Sequence, residues 1–447
     1  MLDDVLLETI GAEVDAGALP PDAGIAVALV RGGRTERWTF GLRERDRGLP
    51  VTQATMFDLC SLTKSFTAAG LVKAADEGRL DLDRPINAAK RLLSFPNERL
   101  NDDVTVADLL SHRTGITAGD LLWYFGQVKR GALLAAVEQL PTIDGAFRRA
   151  FLYNNILYGV LGELYPALTG ETWESWITTG LLEPLGMTAT TFAPGVELDV
   201  ALPYVVTRRV QSADASAVAA AGAMRSTLDD SARWLAFWTN GGRAADGTSV
   251  LSERSIARMF DRAVAFGGAS PMLLSGLEWA ASDLHYGLGW FVGTYEGRRL
   301  TFVPGFVDGF SNVMAVLPDE RIGVVVLSNV NYCGAVGRLS RAVLDAVTKT
   351  MTAGPEPDPR SVFAGEYRNQ TYGNVTVAKR GSRWHLQYGG RAWPLTWNDG
   401  GAAQAVATVF GLEIPLPLVC RLTEGRPEID IPLSLDPRLQ SQTFTKT

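Results

Sequence analysis

The spacing of apolar residues changes period several times along the chain. IAVALVRGG (25–33) and RTERWTFGL (34–42) alternate apolar and polar around Gly32-Gly33, which predicts a β-hairpin. From Ser61 to Glu77 the apolar positions take helical spacing, with Gly78 as the stop. VTVADLLSHRTGI (104–116) predicts a short helix running into a turn. Residues 150–240 read as mostly helical, with breaks at Gly170, Pro184 and Gly186. Alternation then returns. Segments 286–306 and 310–330 are strand-rich, with turns at Tyr295-Glu296-Gly297 and Pro318-Asp319-Glu320, and 334–351 closes as a helix. Strands, then helices, then strands and a final helix predict an α+β layout in which the two ends of the segment share one sheet. TAGPEPDPR (352–360) is rich in proline and glycine and reads as a linker. The short alternating runs of 361–447 predict a small all-β barrel. The expected division is therefore a domain at 1–351, a linker at 352–360 and a second domain at 361–447.

Composition narrows the classes of function. A length of 447 residues exceeds one average domain, in keeping with two bodies. A net charge of −7 with no long basic run argues against a nucleic-acid partner. Cys60, Cys333 and Cys420 are too few and too scattered for a disulfide framework or a zinc site, and neither a metal nor an organic cofactor is implied. The segment MLDDVLLETIGAEVDAGALPPD lacks the basic start and apolar core of a signal peptide, and no apolar run could span a bilayer. The expectation is a cytoplasmic protein without a membrane partner.

Candidate chemistry begins at FDLCSLTKSFTAAG (57–70). Ser61 and Lys64 stand three residues apart where a helical pattern starts, so their β-carbons would lie roughly 5–6 Å apart on one face. Near the helix start, free N–H groups and the dipole stabilise negative charge. A desolvated lysine can be neutral, or can lower the pKa of a neighbouring phenol; either route activates a serine without histidine. That matters because the only histidines are His112, His285 and His385, none of them beside a Gly-x-Ser-x-Gly elbow. One Ser-x-x-Lys is weak evidence and needs partners. AFLYNNILYGVLGELYPALTG (150–170) supplies Tyr153-Asn154-Asn155. The tyrosine could shuttle a proton, and an asparagine could hold a substrate amide by its donor and its acceptor. The structural alternatives are a core aromatic and a helix N-cap.

Ser61-Leu62-Thr63-Lys64 followed by Tyr153-Asn154-Asn155 resembles the penicillin-binding-protein-like serine hydrolases, a group that includes class C β-lactamases, DD-peptidases, esterases and acyltransferases. LLSHRTGI (109–116), LLEPLGM (181–187), AAAGAMRSTLDDSARWLAFW (219–238) and YGLGWFVG (286–293) extend the likeness in order over roughly residues 5–350. The resemblance implies a β-lactamase/transpeptidase-like α+β fold and an acyl-serine mechanism, with Ser61, Lys64 and Tyr153 catalytic and Asn155 orienting the acyl part. It also implies an oxyanion hole from the backbone N–H groups of Ser61 and Phe306, with Gly305 allowing a close approach to substrate. The family's third motif carries Lys or His where this chain has Val303 in Val303-Pro304-Gly305. That departure implies a less polar substrate end and speaks against β-lactamase or free-carboxylate peptidase activity. Residues 361–447 are similar to the lipocalin-like barrel of some D-amino-acid peptidases and of thioesterases that cyclise nonribosomal peptides.

Trp123 and Tyr124 of GDLLWYFG would line the pocket rim or sit in the core. His112 and Cys60 read as scaffold, and Asp308 as a turn residue. The leading expectation is hydrolysis of an ester, amide or thioester in a small or peptidic substrate. The alternative is a free-standing thioesterase or acyltransferase that cyclises or transfers an acyl group, with a carrier-protein-bound acyl donor, in natural-product biosynthesis. A repurposed, non-catalytic ligand-binding scaffold is the second alternative.

Overall fold

Six of the seven residues of β1 (Ile25–Arg31) are buried, because β1 has a neighbour on each edge and a layer on each face. On one edge it pairs antiparallel with β2 (Arg34–Phe40), in register from Ile25↔Phe40 to Arg31↔Arg34, which is the expected hairpin. The structure is a computed structural model. It describes residues 2–126, 129–192, 199–267, 274, 276–280, 283–331 and 334–348, and further on 363–369, 373–380, 383–388, 391–397, 403–409, 412–423, 426–431 and 442–446. The expected linker at 352–360 lies outside the described residues.

After the hairpin come β3 (Val264–Ala265), β4 (His285–Tyr286), β5 (Phe291–Tyr295), β6 (Arg298–Val307), β7 (Phe310–Leu317) and β8 (Ile322–Ser328). They form one antiparallel sheet in the order β2-β1-β8-β7-β6-β5-β4-β3. The two ends of the segment therefore do meet, at the β1–β8 ladder that runs from Ile25↔Ser328 to Arg31↔Ile322. Around the sheet run α1 (Leu2–Asp15), α2 (Thr63–Asp76), α3 (Val106–Leu110), α4 (Asp120–Tyr124), α5 (Asn155–Thr169), α6 (Ala219–Gly222), α7 (Leu228–Thr239) and α8 (Ala335–Thr348), with further helices of one or two turns between them.

Every residue of β7 and β8 is buried, so FSNVMAVL and IGVVVLS read as near-continuous apolar runs. Ala26, Ala28, Met314, Val316 and Val325 share a core with Leu235 of α7. The alternate residues Val27, Leu29, Val313 and Val324 are buried on the opposite face. α8 packs on β7 and β8, burying Leu339, Val343 and Leu344, and α1 packs on α8. The hydrophobic pattern does not single out α1, since only its Leu6 and Glu13 are buried. Its anchor is polar: Glu13 takes both Nε and Nη2 of Arg338, each at 2.5 Å.

The region 150–240 is less helical than its pattern predicts. Beyond α5, residues 173–185 form short α- and π-turns, and Tyr204–Val205 pairs with Arg208–Arg209 as a small hairpin. Pro203 disfavours helix at the residue before it, and the Tyr-Val-Val run that follows favours strand.

The chain divides into two compact units, one of residues 1–267 and 283–348, the other of 268–282 and 349–447. In the second unit eight strands, β9 (Gly365–Asn369) to β16 (Gln442–Lys446), form a closed up-and-down barrel, with β9 paired to both β10 (Gly373–Arg380) and β16. Tyr367, Val377, Leu386, Leu418 and Ile429 form its core. Among the described residues no helix is long and apolar enough to cross a membrane.

Asp108 ties the loops around α3 together. Thr105 and Asp108 form a capping box, and the Asp108 carboxylate also accepts from Arg113 Nε at 2.6 Å and Arg148 Nη2 at 2.8 Å. Burial pushes its pKa up, but the bonds to Arg148 and Arg113 outweigh that, and the net shift is downward. We expect Asp108→Ala to cost about 1–3 kcal/mol, the scale for losing a helix cap and charge-assisted hydrogen bonds whose arginine partners still reach solvent. A group with a depressed carboxylate pKa stabilises above its unfolded value and loses that contribution as pH falls through the folded one. Melting curves of parent and variant should therefore differ widely at pH 7 and converge in acid.

Candidate active site

α2 is buried nearly all round: eleven of its fourteen residues have little exposure, as expected of a helix in the middle of a domain. Its polar side chains are satisfied inside. Ser65 Oγ donates to Leu62 O at 2.7 Å and accepts from Trp234 Nε1 at 3.0 Å, while Thr67 Oγ1 donates to Ala220 O at 2.7 Å. Ser61 lies just ahead of α2, in a 3₁₀ turn of Cys60–Leu62, rather than as the first residue of the α-helix. Cys60 holds φ at +53°, an uncommon conformation for a side chain without a short polar group. Burial raises the pKa of its thiol well above the usual range, so it is a packing group with no thiolate chemistry.

The 58–62 turn is clamped from two sides. Leu59 N donates to Met224 O at 2.9 Å, Met224 N donates to Thr63 Oγ1 at 3.2 Å, and Asp58 pairs with Arg225. From the sheet, Asn312 Nδ2 donates to Asp58 O at 2.8 Å. β6 comes so close that a Cβ built on Gly305 would stand 2.6 Å from Leu59 O and 2.8 Å from Leu62 Cδ1. The absence of a side chain at Gly305 thus admits the turn that carries Ser61, where the sequence suggested it would admit substrate. Counting back from the two-residue turn Asp308-Gly309, β6 exchanges ladder bonds with β7 at Val307, Gly305 and Val303. The N–H of Phe306 points away from β7, and Pro304, which has no N–H, falls beyond the last β5 partner of β6, Phe302.

Lys64 is fully buried, and its Nζ meets three oxygens: Asn155 Oδ1 at 2.7 Å, Ala221 O at 2.9 Å and Ser61 Oγ at 3.1 Å. Burial lowers its pKa from 10.5 to about 7, with Asp120 pulling the other way. Tyr153 donates to Ser61 Oγ at 2.8 Å. Burial pushes its phenol well above 10, and that outcome disfavours a phenolate here. Of the two activating routes, a neutral lysine is the one this environment supports.

The Tyr-Asn-Asn triplet divides its work. Asn154 is the N-cap of α5, its Oδ1 accepting from Leu157 N at 3.0 Å. Asn155, one residue on, turns to Lys64, and its Nδ2 donates to Asp120 Oδ1 at 3.0 Å. Its acceptor is therefore committed to Lys64 and one N–H to Asp120, so it cannot offer both donor and acceptor to a substrate amide as the sequence suggested; one N–H remains. Asp120 also accepts from Trp123 Nε1 at 2.8 Å. Sequence reasoning missed Asp120; the one signal for it is the Asp-x-x-Trp spacing within GDLLWYFG, which puts carboxylate and indole on one helix face.

Ser61, Trp123, Asn155, Ala221, Phe306 and Val307 are among the residues lining a cleft of about 40 Å³, room for a few waters or a small acyl group. Tyr124 is not among the lining residues; it is 40% exposed and donates to Asp308 Oδ2 at 2.5 Å, in the β6–β7 turn. Val303 is not among the lining residues. It is 3% exposed and belongs to the main core, which corrects its assignment to substrate contact. His112 is buried as scaffold: its Nδ1 accepts from Asn154 N at 3.2 Å, its ring lies 4.5 Å from that of Tyr153, and burial followed by Lys64 holds its pKa well below 6.5. Among the described residues no cluster could hold a metal ion.

The chain is similar to known proteins over most of its length. Residues 20–348 match the Beta-lactamase family. "Protein flp" of Staphylococcus aureus (strain COL) is 24% identical over 333 residues, which cover 71% of this chain and 61% of that protein. "Unguisins hydrolase ungD" of Aspergillus violaceofuscus (strain CBS 115571) is 26% identical over 340 residues, 70% of this chain and 59% of that one. The chain thus spans about three fifths of the length of these relatives. Among solved structures, the octameric penicillin-binding protein homologue from Pyrococcus abyssi is similar in fold, with a TM-score of 0.69 at 21% identity over the whole of both chains.

The contact at Gly305 is testable apart from activity. Gly305→Ala sets a methyl group against backbone, which cannot rotate away, and should cost about 1–3 kcal/mol, the usual scale for overpacking. Thermal unfolding by circular dichroism should show a lower Tm; an unchanged Tm would mean that β6 does not press on the turn.

Proposed function

The chain belongs to the beta-lactamase family of serine hydrolases and acyltransferases, and on that premise we propose that it is a serine acyl-transfer enzyme in which Ser61 attacks an ester, amide or thioester carbonyl. The observation that carries this reading is the set of oxygens around Lys64. A neutral amine has two N–H donors and one lone pair. Ala221 O can only accept, and Asn155 Oδ1 can only accept. The two donors go there, and the lone pair is left facing Ser61 Oγ. Ser61 then donates its proton to Lys64 while accepting from Tyr153.

On attack the Oγ–carbonyl bond forms and the Oγ proton passes to Lys64. The carbonyl oxygen takes the negative charge, which the N–H groups of Ser61 and Phe306 would stabilise. As the carbonyl re-forms, the bond to the leaving group breaks, and Tyr153 delivers a proton to that group and recovers one from Lys64. An acyl-serine remains, and a second nucleophile releases it.

The substrate reading is a small or peptidic acyl compound without a carboxylate anchor at the third-motif position, since Val303 is apolar and buried. Water is the favoured acceptor; a hydrolase among the relatives supports this choice. Cyclisation or transfer of a carrier-bound acyl group is the alternative, and product mass separates them, hydrolysis adding one water. The closed eight-stranded up-and-down barrel supports a lipocalin-like second domain.

Brief exposure to a panel of p-nitrophenyl esters and peptidyl thioesters, read by intact-protein mass, should add one acyl group to the parent and none to Ser61→Ala. Labelling of both proteins alike would remove Ser61 from the mechanism. The rate, kcat/KM, should rise as pH passes through about 7, where Lys64 loses its proton. Lys64→Arg, whose side chain keeps its charge, should lose about 10²–10⁴-fold, with no recovery at higher pH.

A further inference from the structure

An asparagine side chain is nearly symmetric in shape and opposite in chemistry at its two ends. Beside a charged Lys64 only the oxygen end of Asn155 fits. Beside a neutral Lys64 either end fits, because a neutral amine can accept from an N–H. In that second arrangement Asn155 would occupy the lone pair that Ser61 needs. Something must hold the amide in place through both protonation states. Asp120 meets the requirement: a carboxylate can only accept, and its Oδ1 takes the Asn155 N–H at 3.0 Å. The same oxygen takes Trp123 Nε1 at 2.8 Å, so one atom sets both the amide and a wall of the cleft.

We propose that Asp120 is a positioning residue of this site, acting through Asn155 to keep the lone pair of Lys64 directed at Ser61. Its place in catalysis rests on the acyl-serine reading; its hold on Asn155 and Lys64 does not. The groups facing Lys64 are Cys60 and Ser61 from the nucleophile turn, His112 after α3, Asp120 from α4, and Tyr153 and Tyr158 at the start of α5. Burial keeps Cys60, His112, Tyr153 and Tyr158 neutral near pH 7, so Asp120 is the one anion among them. Its charge favours the protonated lysine and opposes the effect of burial.

Asp120→Asn keeps the shape but can donate as well as accept, so it no longer dictates which end of Asn155 it meets. Its kcat should fall on the order of 10–100-fold, the range for losing the orienting partner of a reactive side chain, with KM little changed. The acid limb of kcat/KM should move to lower pH, because the anion that favoured charged Lys64 is gone. In an Asn155→Ala background the same substitution should cost less than twofold, since the residue it acts through is absent. A kcat within twofold of the parent would overturn the proposal, as would an equal loss in both backgrounds. A readout that needs no turnover is NMR of isotope-labelled lysine side chains, with the Lys64 signal identified by its loss in Lys64→Arg. Titration of that signal at lower pH in Asp120→Asn supports the proposal even if no reagent acylates Ser61, an outcome that would sink the acyl-transfer reading alone. An unmoved titration overturns the link between Asp120 and Lys64.

Discussion

The burial of one lysine amine constrains the rest of the site. An ammonium withdrawn from water is unfavourable unless acceptors surround it, and a lysine so placed loses its proton more easily than one in solvent. Lys64 is given three acceptors, from the turn at Ser61, the first turn of α5 and the last part of α6. Each must arrive at the right distance, so two elements remote in sequence, α5 and α6, are fixed relative to α2 and the turn that leads into it. The N-cap at Asn154, the clamp on Asp58 and the ion pairs at Asp108 each hold the backbone that carries or flanks one of these groups.

The sheet serves the same end. β7 and β8 are buried on both faces, and that makes them a rigid reference for β6. β6 then delivers Phe306 and Val307 to the cleft and presses the bare backbone of Gly305 on the turn that carries Ser61. Val303, one step along the same face, fills core. Val303 is thus part of the packing and not of the cleft.

How much of this was legible in the sequence depends on range. The hairpin at 25–42, the paired strands at 286–330 and the helix after Ser61 follow from local periodicity, and all are present. The spacing of Ser61 and Lys64 is equally local, three residues on one turn. The Tyr-Asn-Asn triplet could be found as a motif, yet the division of its two asparagines between capping and lysine binding could not. Asn155 and Lys64 are 91 residues apart, and Asp120 meets Asn155 across 35. No periodicity encodes such contacts. The region after α5 misled because its apolar content suits a helix, while Pro203 and the β-branched residues behind it decide otherwise. Val303 misled in the opposite sense: a motif position suggested a surface, and its side chain belongs to the core.

The β1–β8 ladder joins residues 25–31 to residues 322–328. Translation delivers Ser61 and Lys64 early, but the strand that backs them, and the partner that closes the sheet, emerge about 250 residues later. Domains fold during synthesis as their last essential contacts become available, and long-range strand pairing is slow to form. A nascent chain therefore carries its serine and lysine through about 250 residues of further synthesis without the strand that walls the cleft beside them. The cleft around Ser61 and Lys64 is completed only once the β6–β8 segment has left the ribosome, and an amine that gives up its proton readily when buried meets water before that wall is in place.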